Sequence, residues 1–193
     1  DAYIRLGTLC NQTEDSKCES ESYNAAIKLD KNRWEAYFSY GGYFEDSNAA
    51  DKYPKAEKIY RKALSSSKGN SALILNNLAR IFILQGKYNE ALPLVMKGLN
   101  NTHEPYYKAV LYKNQGWIYF ASKDYKKAEE SLRLSLSLEK NLTSSQCLLA
   151  QVVDLRGQDS VDEWTNCFSV LSEDTNNPEV KQWKKTYLTR LNK

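Results

Sequence analysis

Residues Leu75 to Leu99 read LNNLARIFILQGKYNEALPLVMKGL, and this stretch decides the fold. Leu75, Leu78, Ala79 and Phe82 recur at helical spacing, Gly86 and Tyr88 bracket a turn, and Ala91 and Val95 resume the spacing beyond it. The pattern predicts two antiparallel helices, with Ala79 and Ala91 small enough to let them approach closely. A single hairpin of this size cannot bury its apolar face, so copies must stack.

The copies are present. Tyr112, Gln115, Gly116 and Tyr119 followed by Asp124, Tyr125, Ala128 and Leu132 repeat the layout, as do Tyr37, Tyr40, Gly41 and Phe44 followed by Ala56 and Tyr60. Tyr3, Leu6, Gly7 and Cys10, with Tyr23 and Ala26 on the return helix, form a first copy. Gln146, Leu149, Ala150 and Val153 begin a fifth, whose return helix carries Val161, Trp164, Phe168 and Leu171 as its apolar stripe. The small residues Gly7, Gly41, Ala79, Gly116 and Ala150 are spaced 34, 38, 37 and 34 residues apart. The reading is an all-α solenoid of about five helix hairpins in one domain over residues 1–193. The repeats fall at about 1–32, 33–70, 71–104, 105–141 and 142–175, and a capping helix spans 177–192.

Asn177, Pro178 and Glu179 signal that last helix start, and Val180, Trp183, Tyr187 and Leu191 give it one apolar face. The other end shows no cap before Asp1, which predicts either a natural chain that continues N-terminally or self-association through the first repeat. Glu45 to Lys52 reads as an acidic surface insertion, with Pro54 in the first turn of the helix that follows. Glu19 stands where the repeat favours Ala, and Cys10 where it favours an aromatic.

Composition excludes several classes. The 27 Lys and Arg are nearly balanced by 24 Asp and Glu, which gives no electrostatic case for nucleic acid despite a locally basic last helix. No apolar run approaches the roughly 20 residues of a membrane span. The single histidine, His103, falls in a turn and reads as solvated, so a Cys-His or Ser-His pair has no base to recruit. No glycine-rich phosphate cradle and no closely spaced Cys-x-x-Cys metal pattern occurs. No catalytic residue, cofactor or metal site is expected.

Cys10 and Cys18 flank one turn, and Cys147 and Cys167 lie on the two helices of one hairpin, so two local bridges are within reach of the chain. The alternative, favoured by so few cysteines in 193 residues, is four small buried apolar side chains. Asn11, Asn100 and Asn141 each open an Asn-x-Thr sequon at a helix end. The compartment stays open between these signals, with the cytoplasm ahead of export.

The repeat pattern resembles the tetratricopeptide (TPR) superfamily over nearly the whole chain, which implies a non-enzymatic scaffold that holds a partner peptide or protein segment against its first helices. Laying that family's groove over this chain selects Asn76, Asn77 and Arg80 with Lys113, Asn114, Trp117 and Phe120: amides for a peptide backbone, cations for a carboxylate, rings for apolar area. Trp117 and Phe120 have the alternative role of packing on the neighbouring repeat. The best-known TPR peptide clamp needs Lys, Asn and Arg where this chain has Ile4, Thr8 and Phe38, so chaperone-tail binding is not expected.

From Tyr112 onward a narrower resemblance rests on Lys113 to Trp117, Cys147 to Val152, Trp164 to Cys167 and Asn177 to Glu179. It is similar to the C-terminal TPR tracts of bacterial multidomain signalling proteins, which implies a cytoplasmic regulatory module. The second candidate is the pilotin-type TPR lipoprotein of type IV pilus assembly, which shares the lengthened junction at Pro105 to Ala109 but carries a lipid-bearing N-terminal Cys that this sequence does not show. A third is another exported assembly or structural subunit built on stacking, disulfides and glycans.

Overall fold

The computed structural model describes residues 2–170 together with Trp183, Lys185, Thr186, Leu188 and Thr189. Ten helices are described: α1 (Ala2–Gln12), α2 (Ser16–Leu29), α3 (Trp34–Asp46), α4 (Lys52–Ser66), α5 (Ala72–Leu84), α6 (Tyr88–Asn101), α7 (Pro105–Ala121), α8 (Tyr125–Leu138), α9 (Thr143–Leu155) and α10 (Val161–Val170). The predicted capping helix lies almost wholly outside the described residues, as does Leu171 of the fifth stripe. The packing divides the chain into two compact units, Asp1–Asn101 and Thr102–Lys193.

In the first unit α1–α2, α3–α4 and α5–α6 pair as hairpins, and α2 against α3 and α4 against α5 stack them. Small residues set the approach within each hairpin. A Cβ built on Gly7 would stand 2.5 Å from the ring of Tyr23, and one on Gly41 2.5 Å from the ring of Tyr60, so only glycine lets these rings lie flat against the first helix. Ala79 does the same work in α5, where Leu75, Leu78, Ile81 and Phe82 are buried with it.

The second unit pairs α7 with α8 and α9 with α10, and α8 packs on α9. Its core joins Leu132, Cys147, Leu148, Val152, Trp164, Cys167 and Trp183. Gly116 takes the place of Gly7 and Gly41, here facing Leu132. Ser135 donates to the carbonyl of Ala109 at 2.7 Å and lies 2.7 Å from the hydroxyl of Ser145, so the buried hydroxyls are satisfied. Glu129 ties the same layers: it accepts from Arg133 at 2.8 Å and from Arg156. Burial opposes ionisation of this carboxyl, and the two guanidinium groups outweigh it, holding it below the usual carboxylate range.

Four of the five hairpins turn at one register position, seven residues after the small contact residue, where φ is positive: Glu14 at 58°, Gly86 at 73°, Lys123 at 61° and Gly157 at 70°. The following residue closes a six-residue ring back to the helix, as in Lys87 N to Phe82 O at 2.8 Å and Asp124 N to Tyr119 O at 3.0 Å. Asp15 and Asp124 then cap the next helix through Cys18 N at 2.9 Å and Lys127 N at 3.2 Å.

Three details depart from the sequence reading. Glu45 and Asp46 are not in the acidic insertion, because α3 continues through Asp46 and only Ser47 to Asp51 connects it to α4. In α10 the buried positions are Trp164 and Cys167, while Val161 and Phe168 are largely exposed. The longer turn after Gly157 shifts the register of the helix so that Trp164 takes the place of the usual Ala. Glu19 is buried in spite of its charge. Burial pushes its carboxyl upward, and the Asn11 amide, donating at 3.2 Å, partly restores the charged form.

Candidate functional site

The candidate residues lie on first helices of the hairpins, and in the first unit α3 and α5 carry them together with their neighbour Tyr60 from α4. Phe38 packs its ring 5.7 Å from that of Tyr60, with Trp34 one turn earlier at 6.3 Å from Phe38. Beside them Glu45 of α3 pairs with Arg80 of α5, both side chains mostly shielded. Asn76 donates to Asn77 at 3.0 Å, and Asn77 donates to the Tyr60 hydroxyl at 3.2 Å. Burial, reinforced by the negative charge of Glu45, drives the Tyr60 phenol far above its ordinary range; the Asn77 bond and Arg80 pull the other way.

Gly42 lies on this face between Phe38 and Glu45. A Cβ there would meet only the Tyr60 hydroxyl, at 4.0 Å, so neither packing nor backbone geometry requires glycine. Mid-helix glycine costs about 1 kcal/mol against alanine. The result is a bare patch of helix backbone rimmed by an aromatic ring, a hydroxyl and an ion pair.

In the second unit the predicted residues divide. Lys113 exposes 5 % of its surface and Asn114 none, so the expectation that both line an open groove gives way to burial. The Lys113 ammonium lies over the Trp117 ring, 5.5 Å from its centre. Trp117 and Phe120 are half-buried and pack on the core of their own unit, Phe120 also against Tyr125 at 6.1 Å. Gln115 accepts from Ser131 at 3.0 Å. Arg80 likewise does not stand as a bare cation waiting for a partner's carboxylate, since Glu45 answers its charge.

Sequence reasoning missed the Glu45–Arg80 pair. Its signal was present: Glu45 is four residues after Gly41 and continues the helix, and the two residues are one repeat apart. Among the described residues no three His, Cys, Asp or Glu side chains converge on a metal-sized site, and no helix is long and apolar enough to cross a membrane.

Comparison with known families matches residues 70–141 to the family described as Tetratricopeptide repeat. Those residues are tetratricopeptide repeats. The solved structures extend the fold over the rest. PilF of Pseudomonas aeruginosa superposes with a TM-score of 0.77 at 22 % identity, covering 98 % of this chain and 85 % of that one. PilW, described as a widely conserved type IV pilus biogenesis factor, gives 0.78 at 19 % identity, covering 98 % and 92 %. MamA of Desulfovibrio magneticus RS-1 gives 0.70 at 15 % identity, covering 90 % and 96 %. No curated protein matches the chain. The chain thus shares the fold of these solved structures over nearly its whole length, with the tetratricopeptide family matched over residues 70–141, and such folds serve generally as protein-interaction scaffolds. The narrower likeness to signalling proteins gains nothing from these comparisons.

The four cysteines are joined in two pairs. Cys10 bonds Cys18 across the first turn, and Cys147 bonds Cys167 between α9 and α10, with Cα atoms 4.6 Å apart in the second pair. Cys10, Cys147 and Cys167 are buried all the same, so the two readings of the sequence meet at these residues.

Proposed function

We propose that this protein is a non-enzymatic scaffold that holds an extended segment of a partner protein against α3 and α5, across Gly42. The observation that carries the reading is the bare helix backbone at Gly42, set among groups whose positions are already fixed. An extended chain can lie close to that backbone, pack on Phe38 and meet the Asn76 amide, held in place by its bond to Asn77, which lowers the ordering cost of binding. Trp117 and Phe120 offer apolar edges in the second unit, while Lys113 and Asn114 support them from within.

The test is a displayed-peptide selection on the full chain, with hits titrated against a Gly42→Leu variant. Leucine fills the bare patch, and a thermal melt of the variant checks that the neighbouring Glu45–Arg80 pair and the fold are kept. Affinity should fall at least tenfold; peptides bound equally by both proteins remove this face from consideration.

A second reading, of an exported assembly factor, is favoured by the two bonded cysteine pairs, since such bonds persist in oxidising compartments. The likeness in fold to PilF and PilW is consistent with it. Thiol titration of denatured, unreduced protein taken from its native host should find no free thiols under this reading and four under the cytoplasmic one.

A further inference from the structure

We propose that the partner segment held across Gly42 carries an aromatic side chain, whose ring takes the place where α3 interrupts a ladder of rings; this rests on the reading of α3 and α5 as the binding face and adds the chemistry of what binds there. Trp34, Phe38 and Gly42 follow one another at intervals of four residues, along one side of α3. Four residues of helix rise by about 6 Å. The Trp34 and Phe38 rings keep that spacing, with centres 6.3 Å apart in an edge-to-face arrangement, and Phe38 also meets the Tyr60 ring at 5.7 Å. The next rung belongs at position 42, where the chain has no side chain.

The other copies of the repeat show what that position accepts. Counted from the small contact residue, Gly42 corresponds to Thr8, Arg80, Trp117 and Gln151, so α3 alone leaves the position bare. In α7 the position holds a ring. Trp117 receives the ammonium of Lys113, four residues earlier, over its face at 5.5 Å from the ring centre. Lys113 in turn corresponds to Phe38. Both helices thus present one half of a pair to the position of the other, and α3 lacks the half that Trp117 supplies in α7.

Room and charge select a neutral ring. Gly42 is partly exposed, and a Cβ on it would meet only the Tyr60 hydroxyl, at 4.0 Å, so the place is open at its base and reached from outside. Glu45, three residues further along α3, is answered by Arg80 and brings little net attraction for a cationic side chain. A second ring gains on Phe38 what an aliphatic group of equal size does not, because the positive edge of one ring is drawn to the negative face of the other.

The probes are short Gly-Ser peptides that differ in one central residue: phenylalanine, its saturated analogue cyclohexylalanine, or lysine. Each is titrated into the full chain and followed by NMR at the Gly42 amide and the Phe38 ring. The phenylalanine peptide should move both sets of resonances, with a ring-current shift at Phe38, and should bind about threefold to tenfold more tightly than the cyclohexylalanine peptide. Cyclohexylalanine is the more apolar of the two, so equal or tighter binding of it overturns the proposal. A preference for lysine, or no shift with any peptide, overturns it as well. In Phe38→Leu the preference for phenylalanine should vanish, and in Gly42→Phe, where the chain supplies the ring itself, binding should be lost; thermal melts check that both variants keep the fold. A preference that survives Phe38→Leu contradicts the assignment of the stacking partner. The two levels fail separately. Displayed peptides that wild type binds and Gly42→Leu rejects, yet that carry no aromatic residue, overturn this inference and leave α3 and α5 as the binding face, whereas peptides bound equally by both proteins remove that face.

Discussion

Adjacent glycines in α3 do different work. Gly41 faces the Tyr60 ring so closely that a Cβ would stand 2.5 Å from it, whereas a Cβ on Gly42 would meet only the Tyr60 hydroxyl, at 4.0 Å. Gly41→Ala should destabilise by about 1–3 kcal/mol, the range for overpacked cores, while Gly42→Ala should be neutral or stabilise by about 0.5–1 kcal/mol. Denaturant melts of the two variants check the contrast. At the turns, Lys123 occupies the left-handed position that glycine takes at Gly86 and Gly157. Lys123→Gly relieves that backbone at the expense of a more flexible unfolded chain, and a net gain of a few tenths of a kcal/mol is expected in the same assay. Tyr60 supplies a pH test. Its folded phenol stays protonated well past the ordinary value of 10.0, so its contribution to stability is intact below that pH and is lost as pH rises above it. Stability should decline more steeply above pH ~10 in wild type than in Tyr60→Phe.

The hairpin was legible because its determinants are local. The spacing of Gly7, Gly41, Ala79, Gly116 and Ala150 marks the helix contact, and the turn falls seven residues later in four cases. The candidate face was less legible because its polar partners come from neighbouring repeats. Glu45 and Arg80 are 35 residues apart, and Asn77 reaches Tyr60 across 17. Lys113 was misplaced for a related reason: its helical position faces Trp117, and the aliphatic stem of a lysine can be buried beneath a ring. The register of α10 was lost in the long turn after Gly157. Helix α10 also gives the prediction at this scale. The Cys147–Cys167 bond closes a loop of about 20 residues, so removing it with paired Ser substitutions should cost about 3 kcal/mol in the chain-entropy account. In a Cys10→Ser, Cys18→Ser background, thermal denaturation with and without reductant should show the same loss, and no effect of reductant once Cys147 and Cys167 are replaced as well.

At the scale of the whole chain, one face is proposed for binding. The proposed site for an extended segment is on α3 and α5, while each disulfide ties the two helices of one hairpin. The fold alone, shared with PilF, PilW and MamA, does not choose among partners, so the choice rests on Phe38, Gly42 and their neighbours. Photo-crosslinking tests this most directly, with a benzoylphenylalanine placed at Phe38 in one protein and at the exposed Lys58 of α4 in another, each irradiated with the best selected peptide. Crosslinks from position 38 and none from position 58 are the result expected. A crosslink from position 58 with none from 38 would place the peptide on the return helices and contradict the account.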